Sequence, residues 1–239
     1  MLTEAARDVR YQAVLFDLDG TLIDTAPEIC EAINQTLAAS IGGAVTQQQV
    51  RHWIGDGTFA TLTKALAAVL RQDPNDSVVE QEALSMVPVF RECYARLCGS
   101  SSTLYDGVLA TMRLLQKANI KAAVVTNKER EFTERILCSH GISSFFSAVF
   151  CGDSLPEKKP NPAPVYACLN ALTTSSESAL FVGDSRTDVL TARNAGIAIW
   201  CVPYGYNQGR PISDEHPDRV LEDFSQIADL LQVRASTPH

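Results

Sequence analysis

The chain has 239 residues, 46% of them hydrophobic and 20% charged, which allows one globular domain or one domain carrying a smaller inserted module. A net charge of -8 repels nucleic acid and anionic membranes at long range, so neither is expected as a partner. An anionic small molecule can still bind where cations gather locally.

Seven cysteines stand singly, from Cys30 to Cys201, with no C-x-x-C pair and mostly apolar neighbours. That pattern excludes a disulfide framework and a clustered zinc site, and it points to buried free thiols in a reducing compartment. Met1 to Asp8 hold no apolar leader segment, and no apolar run approaches a membrane span. A cytoplasmic location is expected.

In chain order, the first apolar run is Ala13 to Leu18, which reads as a buried strand. From about Ala26 to Gly99 the pattern is helical throughout. Ile29, Ile33 and Leu37 form one stripe, and Phe59, Leu62, Leu66 and Val69 another. Thr46 and Gln49 have the spacing of a capping box, and Pro88 should kink the segment from Val78 to Leu97. Four further apolar runs follow: Ile120 to Thr126, Ser147 to Cys151, Ala179 to Val182, and Ile197 to Val202. Helical patterns separate them, and Gly141 and Gly196 stand where helices should stop. Strands alternating with helices imply an α/β Rossmann-like core, a parallel sheet of five strands covered on both faces. The long helical stretch exceeds an ordinary crossover and reads as an inserted module over one end of the sheet. The expected division is therefore 1–25 plus 100–239 for the core and 26–99 for a helical cap. Ala235 to His239 are polar and expected to fray.

Chemistry concentrates at strand ends. Asp17-Leu18-Asp19-Gly20-Thr21 closes the first run, although aspartate is depleted in strands. The site lies where open α/β sheets keep their ligand crevice. Alternate residues of an extended chain share a side, so Asp17 and Asp19 can face one ligand. Gly183-Asp184-Ser185-Arg186-Thr187-Asp188 adds two more carboxylates at another strand end. If those strands are neighbours, the acids crowd together. Two like charges about 4 Å apart repel by roughly 4 kcal/mol at an effective dielectric of about 20. A hard cation relieves that repulsion, and carboxylates with retained waters suit Mg2+. Val125-Thr126-Asn127-Lys128 offers a hydroxyl, an amide and successive main-chain donors. Lys158-Lys159-Pro160-Asn161-Pro162 puts cations on a stiff loop.

In this order these pieces resemble the haloacid dehalogenase superfamily over nearly the whole chain. Trp53-Ile54-Gly55-Asp56-Gly57, Val125-Thr126-Asn127-Lys128 and Tyr204-Gly205-Tyr206-Asn207 are similar to segments of its phosphoglycolate phosphatase group, with Asp56 standing where asparagine is expected. The resemblance implies a phosphatase acting on a small phosphate ester such as 2-phosphoglycolate. It makes Asp17 the nucleophile that forms an aspartyl-phosphate, and Asp19 the general acid and base. It implies Mg2+ held by Asp17, the Asp19 carbonyl and Asp184, with Asp188 in support. Thr126, Asn127 and Lys159 would hold the phosphoryl group; Lys159 is chosen over Lys158 because it directly precedes the Pro-x-Pro. Gly55, Asp56 and Gly57 are a candidate substrate-facing loop of the cap, which is expected to open and close. A carboxylate-bearing substrate would call for a cap cation, and Arg51, Lys64, Arg91 and Arg96 are available. A sugar phosphomutase, a pyrophosphatase and an inactive binding protein share such a fold. The absence of a serine-rich segment at Thr126-Asn127-Lys128 and the full set of acids favour hydrolysis.

Overall fold

Every apolar run named above forms a strand in the computed structural model, which describes residues 11–232. β1 (Ala13–Phe16) leads through a short β2 (Ile23–Asp24) into α1 (Ala26–Ser40), α2 (Gln47–Trp53), α3 (Thr58–Leu70) and α4 (Ser77–Leu97). The chain returns through β3 (Thr103–Leu104) and α5 (Val108–Lys117) to β4 (Lys121–Val125), α6 (Arg130–Ser139) and β5 (Phe146–Phe150). It continues with α7 (Ala163–Leu172), β6 (Ala179–Gly183), α8 (Arg186–Ala195), β7 (Ala198–Cys201), β8 (Arg219–Val220) and α9 (Gln226–Leu230).

The main sheet is parallel, in the order β5-β4-β1-β6-β7-β8. It has six strands, not the five expected. The extra strand pairs Trp200 with Arg219 and Cys201 with Val220 at the sheet edge, and its two exposed residues carry no periodic signal. β1 lies between β4 and β6. The chain first builds outward to β5 and then crosses to the other side of β1, so a switch-point crevice opens at the ends of these strands.

Side chains alternate across the sheet with period two. Val14 and Phe16 face a core with Val108 and Met112 of α5 and Ile227 of α9. Ala13 and Leu15 face the opposite core with Val165 and Cys168 of α7 and Val189 of α8. Burying a Phe16-sized side chain contributes about 1.5–3 kcal/mol, so each strand is held from both sides.

A third core belongs to the four helices. Ile29, Ile33 and Leu37 of α1 meet Leu62 and Leu66 of α3 and Phe90 and Tyr94 of α4. Phe132 of α6 joins them from the sheet layer, its ring 4.6 Å from that of Tyr94. Thr46 and Gln49 form the expected capping box, and Gly196 ends α8 in the left-handed conformation. Pro88 lies inside α4 without ending it. Ile23 pairs with Leu104 and Asp24 with Thr103, antiparallel, so the chain leaves and re-enters the sheet layer at one place. The buried Glu28 carboxylate fixes that place by accepting from Gly99 N at 2.8 Å and Ser102 N at 3.2 Å.

All seven cysteines are free; Cys138 is exposed and Cys98 half-buried, against the expectation that all would be buried. Among the described residues no helix is long and apolar enough to cross a membrane. Met1 to Asp8 and the frayed end expected at Ala235 to His239 lie outside the described residues.

Candidate active site

Register brings the strand ends together. Phe16 is level with Val124 of β4 and Val182 of β6, so the next residues, Asp17 above all, emerge at a common height. Asp17 N donates to Val182 O at 3.0 Å, extending the ladder by one bond. Asp17, Asp184 and Asp188 are buried and each offers a carboxylate oxygen within 4.8 Å of the others.

Lys159 is the cation of this cluster. Its ammonium lies 2.7 Å from Asp17 Oδ1 and 2.7 Å from Asp188 Oδ1. The other Asp188 oxygen accepts from Asp184 N, Ser185 N and the Ser185 hydroxyl, and so completes the capping box that opens α8. Asp184 accepts from the Thr21 hydroxyl and, at 2.6 Å, from Tyr206 N. Two glycines make room for this carboxylate: a Cβ on Gly205 would lie 2.2 Å from Asp184 Cβ, and Gly20 combines a φ of +92° with a Cβ position 2.5 Å from Asp184 Oδ2.

Burial pushes the Asp17 carboxyl up to about 7; Lys159 offsets part of the rise and Asp188 adds to it. Burial, then Asp188 and Asp17, hold the Asp184 carboxyl well above the usual carboxylate range. Burial would lower the Lys159 ammonium, but Asp17 and Asp188 outweigh it and raise it. Asp17 Oδ1 is buried, and its close partner is the Lys159 ammonium. Three buried carboxylates within reach of one another, those of Asp17 and Asp184 raised, are hard oxygen donors that fit a divalent cation.

Asp19 lies beside this cluster with different company. Lys128 Nζ is 3.0 and 3.2 Å from its two carboxylate oxygens, and the Thr25 hydroxyl donates to one of them at 2.6 Å. Thr126 Oγ1 accepts from Lys128 N at 3.2 Å, which leaves its own proton free to donate. The Asn127 side chain bonds main-chain groups: Nδ2 donates to Gly55 O at 3.0 Å and Lys159 O at 3.1 Å, and Oδ1 accepts from Lys159 N at 2.9 Å.

A cavity of about 430 Å³, counting its open mouth, separates the sheet ends from the helices. Asp17, Asp19, Thr126, Asn127 and Lys128 form its floor, and Ile29, Ile54, Gly55, Gly57, Thr58 and Phe90 are among the residues above. Asp56 is not on its wall; the side chain is about half exposed and pairs with Lys64 at 2.8 Å.

A family model for haloacid dehalogenase-like hydrolases matches residues 14–202. The chain belongs to this family. Among curated haloacid dehalogenase-like relatives, the phosphoglycolate phosphatase of Photobacterium profundum is 38% identical over 221 residues, 92% of this chain and 95% of that protein. Phosphoglycolate phosphatase 1 of Pseudomonas aeruginosa is 35% identical over 90% of this chain and 77% of its own length. The crystal structure of a predicted phosphoglycolate phosphatase from Haemophilus somnus superposes with a TM-score of 0.85 at 31% identity, covering 92% of this chain and 98% of that one.

Several residues of this haloacid dehalogenase-like site have partners that no local signal reveals. Lys128 was legible only as a neighbour of Thr126, since a lysine in a loop is ordinarily solvated. Thr21, Thr25 and Tyr206 serve Asp184, Asp19 and the module entrance through contacts that no sequence spacing encodes.

Proposed function

We propose that this chain is a magnesium-dependent phosphatase that hydrolyses 2-phosphoglycolate to glycolate and phosphate through an aspartyl-phosphate on Asp17. The observation that carries the reading is the buried meeting of Asp17 with Lys159, Asp184 and Asp188, where Asp17 and Asp19 both lie on the cavity floor. The names of the relatives support the choice of ester.

Asp17 attacks phosphorus, and the bond from phosphorus to the glycolate oxygen breaks. Asp19 gives its proton to that departing oxygen, then takes one from the water that attacks the phosphorylated Asp17. Phosphate leaves and both aspartates return to their starting forms. Lys159, the Thr126 hydroxyl and the Asn127 main-chain N–H hold the phosphoryl oxygens while charge shifts onto them. Asp17, the Asp19 carbonyl and Asp184, with Asp188 in support, would hold Mg2+, which would supply alignment of the phosphoryl group and offset repulsion between two anions.

In this reading 1–25 and 100–239 form the catalytic core and 26–99 a cap whose Gly55–Gly57 loop faces the substrate. The free thiols support a cytoplasmic location. The test is a panel of 2-phosphoglycolate, hexose phosphates, nucleotides and pyrophosphate with Mg2+ or EDTA. The expected outcome is Mg2+-dependent phosphate release led by 2-phosphoglycolate. Release led by another ester would move the substrate assignment, and no release from any of them by folded protein would overturn the phosphatase reading.

A further inference from the structure

None of the helical module's five cations, exposed Arg71 included, lines the cavity, and the other four are paired elsewhere. Arg51 pairs with Asp24, Lys64 with Asp56, Arg91 with Glu131 and Arg96 with Glu92. The basic side chain on the cavity wall is Lys128, which comes from the sheet layer, shortly after β4. We propose that Lys128 reads the substrate's carboxylate and makes the enzyme selective for phosphate esters whose alcohol bears a carboxylate one or two carbons from the ester oxygen. This deepens the phosphatase reading above and rests on it.

Position carries the argument first. Lys159 is shared by Asp17 and Asp188, so its charge lies beside the residue assigned above as nucleophile, behind the cavity lining. Lys128 is bound instead to both oxygens of Asp19, the group assigned to the departing ester oxygen. A cation there lies beside the leaving group.

Its surroundings carry the argument second. The Lys128 side chain is 2% exposed, and its neighbours besides Asp19 include the Tyr94 ring, 4.9 Å from Nζ. The rest of the wall includes Ile29, Ile54 and Phe90, and the hydroxyls of Thr58 and Thr61 there already donate to Glu129 and to main-chain oxygens, so none of these carries a charge to compensate a desolvated carboxylate. A carboxylate entering this space finds its counter-charge at Lys128. A neutral group of the same size finds none of that benefit and still disturbs the Lys128–Asp19 pair. In this proposal the two buried lysines divide the tasks, with Lys159 beside the nucleophile for phosphate and Lys128 on the cavity wall for carboxylate.

The experiment compares 2-phosphoglycolate with its carboxamide, an ester of the same size whose alcohol part is uncharged, on wild-type protein and on Lys128→Met, both with Mg2+. Wild type is expected to favour the carboxylate by about 100-fold or more in kcat/KM, and Lys128→Met to bring that ratio to within about tenfold of unity. If Lys128→Met lowers both esters by one factor, Lys128 serves Asp19 alone and the proposal is overturned. If wild type itself shows no preference while hydrolysing both, the proposal is also overturned. If wild type hydrolyses neither but accepts an ester without a carboxylate, the substrate reading fails first and takes the proposal with it.

Should Lys128→Met not fold, the wild-type protein still decides. Glycolate should compete with substrate at least about tenfold more tightly than glycolamide. Equal competition overturns the proposal.

Discussion

Asn127 and Lys159 are joined by two hydrogen bonds through a single amide, 2.9 Å from Lys159 N to Oδ1 and 3.1 Å from Nδ2 to Lys159 O. The same Nδ2 reaches Gly55 O of the helical module at 3.0 Å. One side chain thus ties the loop that carries Lys159 to the module's glycine loop.

Asn127→Ala should therefore lower kcat more than it raises KM, because Lys159 loses its aim while the cavity wall stays in place. A fall of about 10- to 100-fold in kcat is expected, with about 1–3 kcal/mol of stability lost from unpaired main-chain groups. Steady-state kinetics and urea unfolding check both numbers. An unchanged kcat would show that Asn127 is packing only.

Asp17→Asn keeps the shape of the side chain and removes its nucleophilic charge. Turnover should fall by at least about 1,000-fold while unfolding stays cooperative. Retained turnover in this variant would sink the assignment of the nucleophile.

The metal-free protein should lose stability as pH rises. The Asp17 carboxyl moves from its ordinary 3.8 up to about 7 on folding, and Asp184 moves in the same direction. The folded state then holds protons that the unfolded chain releases. Stability from these groups is present below about pH 4 and is lost as pH climbs through about 7. In EDTA the melting temperature should fall between pH 5 and 8, and Asp17→Asn should flatten that fall. Mg2+ competes with the same protons, so it should raise the melting temperature more at pH 8 than at pH 5, by about 5 °C or more. A Mg2+ effect that did not grow with pH would contradict a carboxylate site.

Glu28 is fully buried and accepts from Gly99 N, Ser102 N and the Tyr94 hydroxyl. Glu28→Ala strands these donors where the chain re-enters the sheet layer. About 2–4 kcal/mol should be lost in chemical denaturation, and Glu28→Gln, which keeps an acceptor, should lose less. Equal losses in the two variants would mean that volume, not hydrogen bonding, sets the role of Glu28.

What could be read without a structure is what neighbouring residues encode. Apolar runs closed by Asp17 and Asp184 mark strand ends, the stripes at Ile29, Ile33 and Leu37 mark a helix, and Thr46 with Gln49 marks its successor. These signals arise from side-chain period and local capping bonds, so a few consecutive residues suffice. The order of the motifs also sufficed to place the chain in its family. β8 escaped because two residues at a sheet edge have no period, and β2 with β3 because their pairing joins residues on either side of a whole helical module.

The partners of the charged groups were decided by tertiary structure alone. Nothing local distinguishes Lys128, which meets Asp19, from Lys158 in a later loop, or Arg51, which turns to Asp24, from any solvated arginine. Strand order places the β4 loop beside the end of β1, and strand register sets its height. Ion pairs act over a few ångströms, so only the assembled sheet, with its switch point between β4 and β6, determines which lysine faces which aspartate.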